Sequence, residues 1–188
     1  MSQVISPAVP PPRRERLVHV IQGEHGVSQD PNVIYTTILG SCVATCIWDP
    51  LARVGGMNHF LLPGEREGCG DSMRYGVNSM ELLINGLLQN GAARSRLQAK
   101  LFGGAHVIKN LSDVGAQNAE FATRFLNDEG IVCVAKSLGG NRARRVRFWP
   151  TDGRAGQMLL ESTSPEVMIA ERARVVPAPV EDGSAELF

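Results

Sequence analysis

Thr36-Thr37-Ile38-Leu39-Gly40-Ser41-Cys42-Val43-Ala44-Thr45-Cys46-Ile47-Trp48, followed by Gly55-Gly56-Met57-Asn58-His59-Phe60, is the stretch on which the reading of this 188-residue chain turns. Gly40 and Ser41 permit a sharp bend, and the apolar, β-branched run after them has strand character. Cys42 is therefore expected at the mouth of a strand, where side chains meet solvent. Asp49-Pro50-Leu51-Ala52-Arg53 carries a turn signal, with Asp suited to the first and Pro to the second position of a type I turn. A tight turn centred on Pro50-Leu51 pairs Trp48 with Arg53 and Cys42 with His59. It puts thiol and imidazole on one sheet face with Cβ atoms about 4.5–5.5 Å apart. Gly55-Gly56 is a place where a β-bulge would shift that register.

A free thiol has a pKa near ~8.5 and is mostly protonated at neutral pH; a neighbouring imidazole takes its proton and leaves a thiolate nucleophile, with His59 then charged. The blander reading makes Cys42 a small buried hydrophobe and His59 a satisfied core histidine. Cys42 and Cys46 also invite a zinc reading. Four strand steps span about 13 Å, too far for two sulfurs on one tetrahedral ion, so Cys46 is assigned to the core.

Further segments weigh against the bland reading. Leu39-Gly40-Ser41-Cys42-Val43, Gly55-Gly56-Met57-Asn58-His59-Phe60-Leu61-Leu62-Pro63, Tyr75-Gly76-Val77-Asn78-Ser79-Met80, Lys100-Leu101-Phe102-Gly103-Gly104-Ala105 and Leu138-Gly139-Gly140-Asn141-Arg142-Ala143-Arg144-Arg145-Val146 occur in order. Together they resemble the chemoreceptor glutamine deamidase family, CheD, over residues 17 to 150. The resemblance implies Cys42 as nucleophile, His59 as its base and acid, and a supporting threonine six positions before the cysteine, which is Thr36; the adjacent Thr37 is the alternative. It implies methyl-accepting chemoreceptors as protein substrates and the phosphatase CheC as a regulatory partner.

Lys+Arg and Asp+Glu both number 19, so no global field draws the chain to nucleic acid or an anionic membrane surface. No apolar run has bilayer length, and Met1-Ser2-Gln3-Val4-Ile5 lacks the form of a secretion signal, which together predict a cytoplasmic protein without membrane insertion. Cys42, Cys46, Cys69 and Cys133 do not form a disulfide framework, in keeping with a reducing compartment. No Gly-Lys-Ser/Thr or Gly-x-Gly-x-x-Gly motif supports nucleotide binding, and the expected chemistry requires no metal or organic cofactor.

Residues 1–16, rich in Pro and Arg, read as a flexible arm; 17–160 as the deamidase domain; and 161–188, with Val175-Val176-Pro177-Ala178-Pro179 and an acidic end, as a flexible extension. Within the domain, Leu17–Ile21 is a predicted strand, Gly23–Gly26 a break, and Glu65–Arg74 a polar loop carrying a spectator Cys69. Tyr75–Asn90 and Gly115–Glu129 are predicted helices, closed by Gly91 and Gly130. Lys100–Phe102 and Ile131–Ala135 read as strands, the second of buried type, and the alternating Arg144–Phe148 as another. His19 and His25 have no ligand-type spacing. Arg142, Arg144, Arg145 and Arg147 form a basic cluster open to acidic partners, though a solvated face is the commoner use of such a cluster.

With strands, two separated helices and no parallel βαβ fingerprint, the predicted fold is α/β, a layered α/β/α-type sandwich around a mixed, largely antiparallel sheet in a single domain, with α+β as the alternative. The predicted reaction is cysteine-dependent hydrolysis of glutamine side chains to glutamate, extending by the same acyl chemistry to glutamyl methyl esters. Backbone N–H groups near Ser41 and Cys42 are candidates for the oxyanion. The rivals are a non-enzymatic adaptor that binds CheC or receptor helices, and a cysteine peptidase.

Overall fold

The structure, a computed structural model, describes residues 14–62, 69–106 and 114–161. Most of the N-terminal arm, the Glu65–Gly68 part of the polar loop and nearly all of the C-terminal extension lie outside the described residues.

Among the described residues, nine strands form two sheets. β1 (Arg16–His19), β3 (Val33–Leu39), β8 (Arg144–Phe148) and β9 (Ala155–Leu159) make a four-stranded sheet in the order β1-β3-β8-β9. β2 (His25–Ser28), β5 (Val54–Phe60), β4 (Val43–Asp49), β6 (Gln98–Gly103) and β7 (Val132–Leu138) make a five-stranded one in that order. Pairing is antiparallel except at β1–β3 and β6–β7. The predicted class, α/β with mixed, largely antiparallel pairing in one unit, is what the molecule shows.

The layers are helix, sheet and sheet, not the predicted α/β/α stack around a single sheet, because a second sheet covers the face opposite the helices. α1 (Cys69–Gln89) and α2 (Val114–Asp128) both pack on the five-stranded sheet. β4 runs antiparallel to both β5 and β6, so β5 and β6 are parallel to each other, and α1 is the crossover between them; α2 is the crossover from β6 to its parallel neighbour β7. Both crossovers advance across the sheet in the same direction, and connections of one hand then place both helices on one face. The other face is left to the four-stranded sheet. These are two parallel β-α-β units that carry no glycine fingerprint, which is why the sequence did not announce them.

β4 sits at the centre, and all seven of its residues are buried. A strand covered on both faces has no polar side to show, and this accounts for its unbroken apolar run. Ala44, Cys46 and Trp48 face the four-stranded sheet and pack with Tyr35, Leu39, Val146 and Phe148. Val43 and Ile47 face the helices with Phe60, Leu83, Ile84, Leu87, Phe121 and Leu126. Each large side chain buried in these layers contributes about 1.5–3 kcal/mol.

Both helices stop on the same hydrogen-bonded motif. Gly91 N–H donates to Leu88 O (3.0 Å) and Ala92 N–H to Leu87 O (3.1 Å), while Gly130 N–H donates to Asn127 O (3.0 Å) and Ile131 N–H to Leu126 O (2.8 Å). α1 begins at Cys69, inside the segment predicted as loop, because its apolar spacing already runs through Met73 and Gly76. β7 is an edge strand and not a buried one: Val132 is 64% exposed and Val134 49%. β2 occupies residues predicted as a break, since Gly26 tolerates the close approach of β5 on one side and of the Tyr35 ring on the other.

Candidate functional site

The hairpin that carries the predicted pair differs from expectation by one even step. Pro50 to Arg53 form a four-residue connection, with Arg53 N–H on Asp49 O (2.9 Å) and Arg53 in the left-handed region at φ 53°. Asp49 Oδ1 accepts from Leu51 N–H (2.9 Å) and Ala52 N–H (3.1 Å), and so holds the turn. Trp48 therefore pairs with Gly55, and Ala44, not Cys42, stands opposite His59. A slip of one residue would have sent every side chain to the other face, whereas a slip of two keeps them. Cys42 and His59 remain on the same face, diagonally placed. No bulge occurs at Gly55-Gly56, where the ladder is continuous. Those glycines are required by contact: a Cβ on Gly55 would lie 2.2 Å from Pro150 O and one on Gly56 2.5 Å from Gly26 O.

His59 is buried, with its Nδ1 3.2 Å from Val20 O and 2.8 Å from Thr37 Oγ1. A carbonyl oxygen only accepts, so Nδ1 is the protonated nitrogen and Nε2 carries the lone pair. Nε2 is buried and has no hydrogen-bond partner among the described residues. Burial pushes the imidazole pKa down to about 4, against smaller upward pulls from the Val20 carbonyl and the Glu24 carboxylate. At neutral pH the ring is therefore an uncharged base, not the resting imidazolium expected from the sequence.

The two threonines part company here. Thr36 Oγ1 donates to Val146 O at 2.9 Å, while Thr37 Oγ1 meets His59. Adjacent strand residues face opposite sides, so one of them alone reaches the imidazole. Thr36, the residue nominated by resemblance, is not brought to His59.

Cys42 lies just before β4, at the strand mouth, with 8% of its surface exposed. Its Sγ donates to Gln22 Oε1 at 3.5 Å. Gln22 belongs to the segment after β1 that is stitched over the site by three backbone bonds: Val20 N–H to Thr36 O (3.0 Å), Gly23 N–H to His59 O (2.8 Å) and His59 N–H to Glu24 O (3.0 Å). Tyr75 of α1 stands beside the same segment, its hydroxyl 3.4 Å from where a Gly23 Cβ would be. Burial raises the Tyr75 pKa, and the negative charge of a Cys42 thiolate raises it further. Neither Gln22 nor Tyr75 was assigned to the site from the sequence. Tyr75 lies in one of the segments that carry the family resemblance, whereas Gln22 has no sequence signal beyond its position after a strand.

The backbone that carries Cys42 is clamped from two elements. Cys42 O accepts from Gly104 N–H (2.7 Å), and Gly40 O from Ala105 N–H (2.8 Å). Ser41 O accepts from Asn118 Nδ2 (2.9 Å), whose Oδ1 takes the Leu62 N–H (2.8 Å). Gly103 has φ 111°, and a Cβ on it would lie 2.1 Å from Cys42 O, so the Gly103-Gly104 pair lets the end of β6 touch the Cys42 peptide.

Other predicted candidates lie apart. Cys46 is fully buried, and burial pushes its thiol pKa well above the ordinary range. The arginine cluster is broken: Arg144 turns inward, 3% exposed, with its guanidinium on Ser137 O, Ser137 Oγ and Gly139 O. Arg142 reaches Leu160 O and sits 3.9 Å from Glu161. Among the described residues no helix is long and apolar enough to cross a membrane.

The family model described as CheD chemotactic sensory transduction matches residues 61–158. A protein of Acidiphilium cryptum (strain JF-5) named "Probable chemoreceptor glutamine deamidase CheD" is 54% identical over 182 residues, covering 94% of this chain and 96% of that protein. The chain belongs to the CheD family. A second member, from Agrobacterium fabrum (strain C58 / ATCC 33970) and bearing the same name, is 56% identical over 163 residues, 86% of this chain and 90% of its own. Cys42 and His59 precede the span matched by the family model and fall within the long reach of such relatives. Among solved structures, the hypothetical protein YfiH of Bacillus licheniformis superposes with a TM-score of 0.43 at 12% identity, over 67% of this chain and 60% of that one.

Proposed function

We propose that this chain hydrolyses the carboxamide of glutamine side chains on methyl-accepting chemotaxis receptors, leaving glutamate and ammonia, with Cys42 as nucleophile and His59 as the proton carrier. The observation that carries the reading is the state of His59: its tautomer is held by Val20 O, and its unpartnered Nε2 lone pair is buried on the sheet face that Cys42 shares. The names borne by the relatives supply the substrate class.

The chemistry follows from that state. Nε2 takes the thiol proton as Sγ attacks the amide carbon, and the C–N bond breaks as the same proton passes to the departing nitrogen. Burial makes the transient imidazolium a strong acid, suited to protonating an amine leaving group. Water, deprotonated by Nε2, then attacks the thioester carbonyl. The C–S bond breaks, glutamate is released, and the proton returns to sulfur. A glutamyl methyl ester would enter the same cycle with methanol leaving. Thr37 holds the ring; a role for Thr36 in this reading is confined to the strand that bears it. Regulation by CheC and a cytoplasmic location belong to the same proposal.

The test is mass spectrometry of a receptor cytoplasmic fragment incubated with the protein. A Gln-to-Glu mass change at defined sites, lost in Cys42→Ala, is expected. Backbone cleavage would favour a peptidase. Stable binding by folded, reduced protein with no mass change would favour an adaptor.

A further inference from the structure

We propose that Gln22 is a catalytic residue of this site: its carboxamide holds the Cys42 thiol in the resting state and turns its Nε2–H end first to the thiolate and then to the oxyanion. The inference rests on the reading of Cys42 as nucleophile. It starts from the contact of Gln22 Oε1 with Cys42 Sγ at 3.5 Å, made across 20 residues of sequence by a partly buried side chain.

A carboxamide is suited to this position because it both accepts and donates. While sulfur bears a proton, Oε1 accepts it. Once the proton has moved to His59, a half-turn about the last side-chain bond brings Nε2–H to the thiolate, without any movement of the backbone. When sulfur bonds to the substrate carbon, the oxyanion develops two bonds away from sulfur, within reach of the same donor. The donor is neutral, so it stabilises the anion without holding a counter-charge against the buried, uncharged His59.

The support for Gln22 is rigid and tied to the catalytic strand. Its neighbours Val20, Gly23 and Glu24 bond to Thr36 or His59 through backbone groups, and Val20 O also fixes the His59 tautomer. A single segment thus orients the base with one residue and meets the nucleophile with another two positions on. The segment precedes β2, whose pairing with β5 registers it against His59.

The experiment compares Gln22→Ala and Gln22→Glu with the unmodified protein in thermal melting, in kcat and KM on receptor glutamines, and in the pH dependence of iodoacetamide alkylation at Cys42. Both variants should melt close to the parent and lose about 10²-fold in kcat with KM changed little, the size expected for one lost oxyanion donor. The alkylation midpoint should rise by about one pH unit in Gln22→Glu, where a carboxylate faces the thiolate, and rise less in Gln22→Ala. Alkylation is read without any receptor, so it tests the contact even if the protein does not deamidate receptors. Unchanged midpoints in both variants, or kcat within about threefold of the parent, would overturn the proposal. So would conversion of Gln22 itself to glutamate in the intact protein, which would mark it as a substrate of Cys42 and not a donor to it.

Discussion

Val20 O and His59 Nδ1 stand 3.2 Å apart, and this contact between a residue beside the edge of one sheet and the imidazole of the other sets which nitrogen of the ring is basic. The ring stays neutral because its burial outweighs the upward pulls of the Val20 carbonyl and of Glu24, which acts at longer range. The folded pKa, about 4, lies below the unfolded value near 6.5, so the unfolded chain binds more protons between those limits. Stability should be flat above pH 6.5 and fall as pH drops through that window, by on the order of 3 kcal/mol in all. Denaturant titrations at several pH values should show this slope, and His59→Asn should remove it. A parent curve that is flat from pH 6.5 to 4 would count against a buried neutral imidazole.

The same ring separates the two threonines. Thr37→Val removes the hydroxyl at His59 Nδ1 and should lower kcat by about 10-fold or more while the protein still melts cooperatively. Thr36→Val removes the bond to Val146 O and should cost about 1 kcal/mol of stability with turnover close to normal. Steady-state kinetics on the receptor fragment, run beside thermal melts, checks both. The reverse assignment would move the supporting role to Thr36.

Why that choice was not legible in the sequence is instructive. Two adjacent threonines in a strand point to opposite faces, and which face looks at His59 depends on how β3 sits over β5, a relation between two sheets that no local pattern encodes. The Cys42–His59 face, by contrast, survived a wrong loop length, because parity was right even though Asp49 closes a four-residue turn instead of a tight one. Arg144–Phe148 and the two amphipathic helices were readable from period alone. β2 was hidden behind Gly23 and Gly26, β7 looked buried because Val132 and Val134 are apolar at an edge, and Gln22 became a candidate only when folding brought it to sulfur.

Asp49 offers a second acid response, distinct in range. Its carboxylate, fully buried, receives Leu51, Ala52 and Ala93 N–H groups and the Arg96 guanidinium. Burial alone would raise its pKa, but Arg96 and the backbone donors outweigh that and hold it well below the usual carboxylate range. Its contribution is therefore present above the unfolded value near 3.9 and is lost as pH falls towards the folded pKa, below the His59 window. Asp49→Ala should destabilise the protein by at least about 2 kcal/mol, since the donors lose their acceptor together. A melt of Asp49→Ala within a degree of the parent would show that the β4–β5 turn does not depend on this carboxylate.

Gly103 controls how closely β6 approaches the Cys42 peptide. Gly103 sits at φ 111°, a conformation that L side chains rarely adopt, and its α-carbon faces Cys42 O so closely that a methyl group would lie 2.1 Å from that oxygen. Gly103→Ala must therefore either strain β6 or push Cys42 away, and the neighbouring bond from Gly104 N–H to Cys42 O, 2.7 Å long, would stretch with it. Strain of this kind costs at least about 1–3 kcal/mol. Displacement of a nucleophile by as little as about 1 Å costs on the order of 10²-fold in rate. The expected outcome is a folded protein with a lowered melting temperature, a kcat reduced far more than that destabilisation explains at permissive temperature, and slower alkylation of Cys42 by iodoacetamide. Gly130→Ala is the matched control, because it places a methyl group at φ 67° with nothing within 4 Å and no link to Cys42. It should lower stability through backbone strain alone and leave both kcat and alkylation near the parent. Equal losses of activity in the two variants would mean that the Gly103 contact acts through general stability and not by setting the position of Cys42.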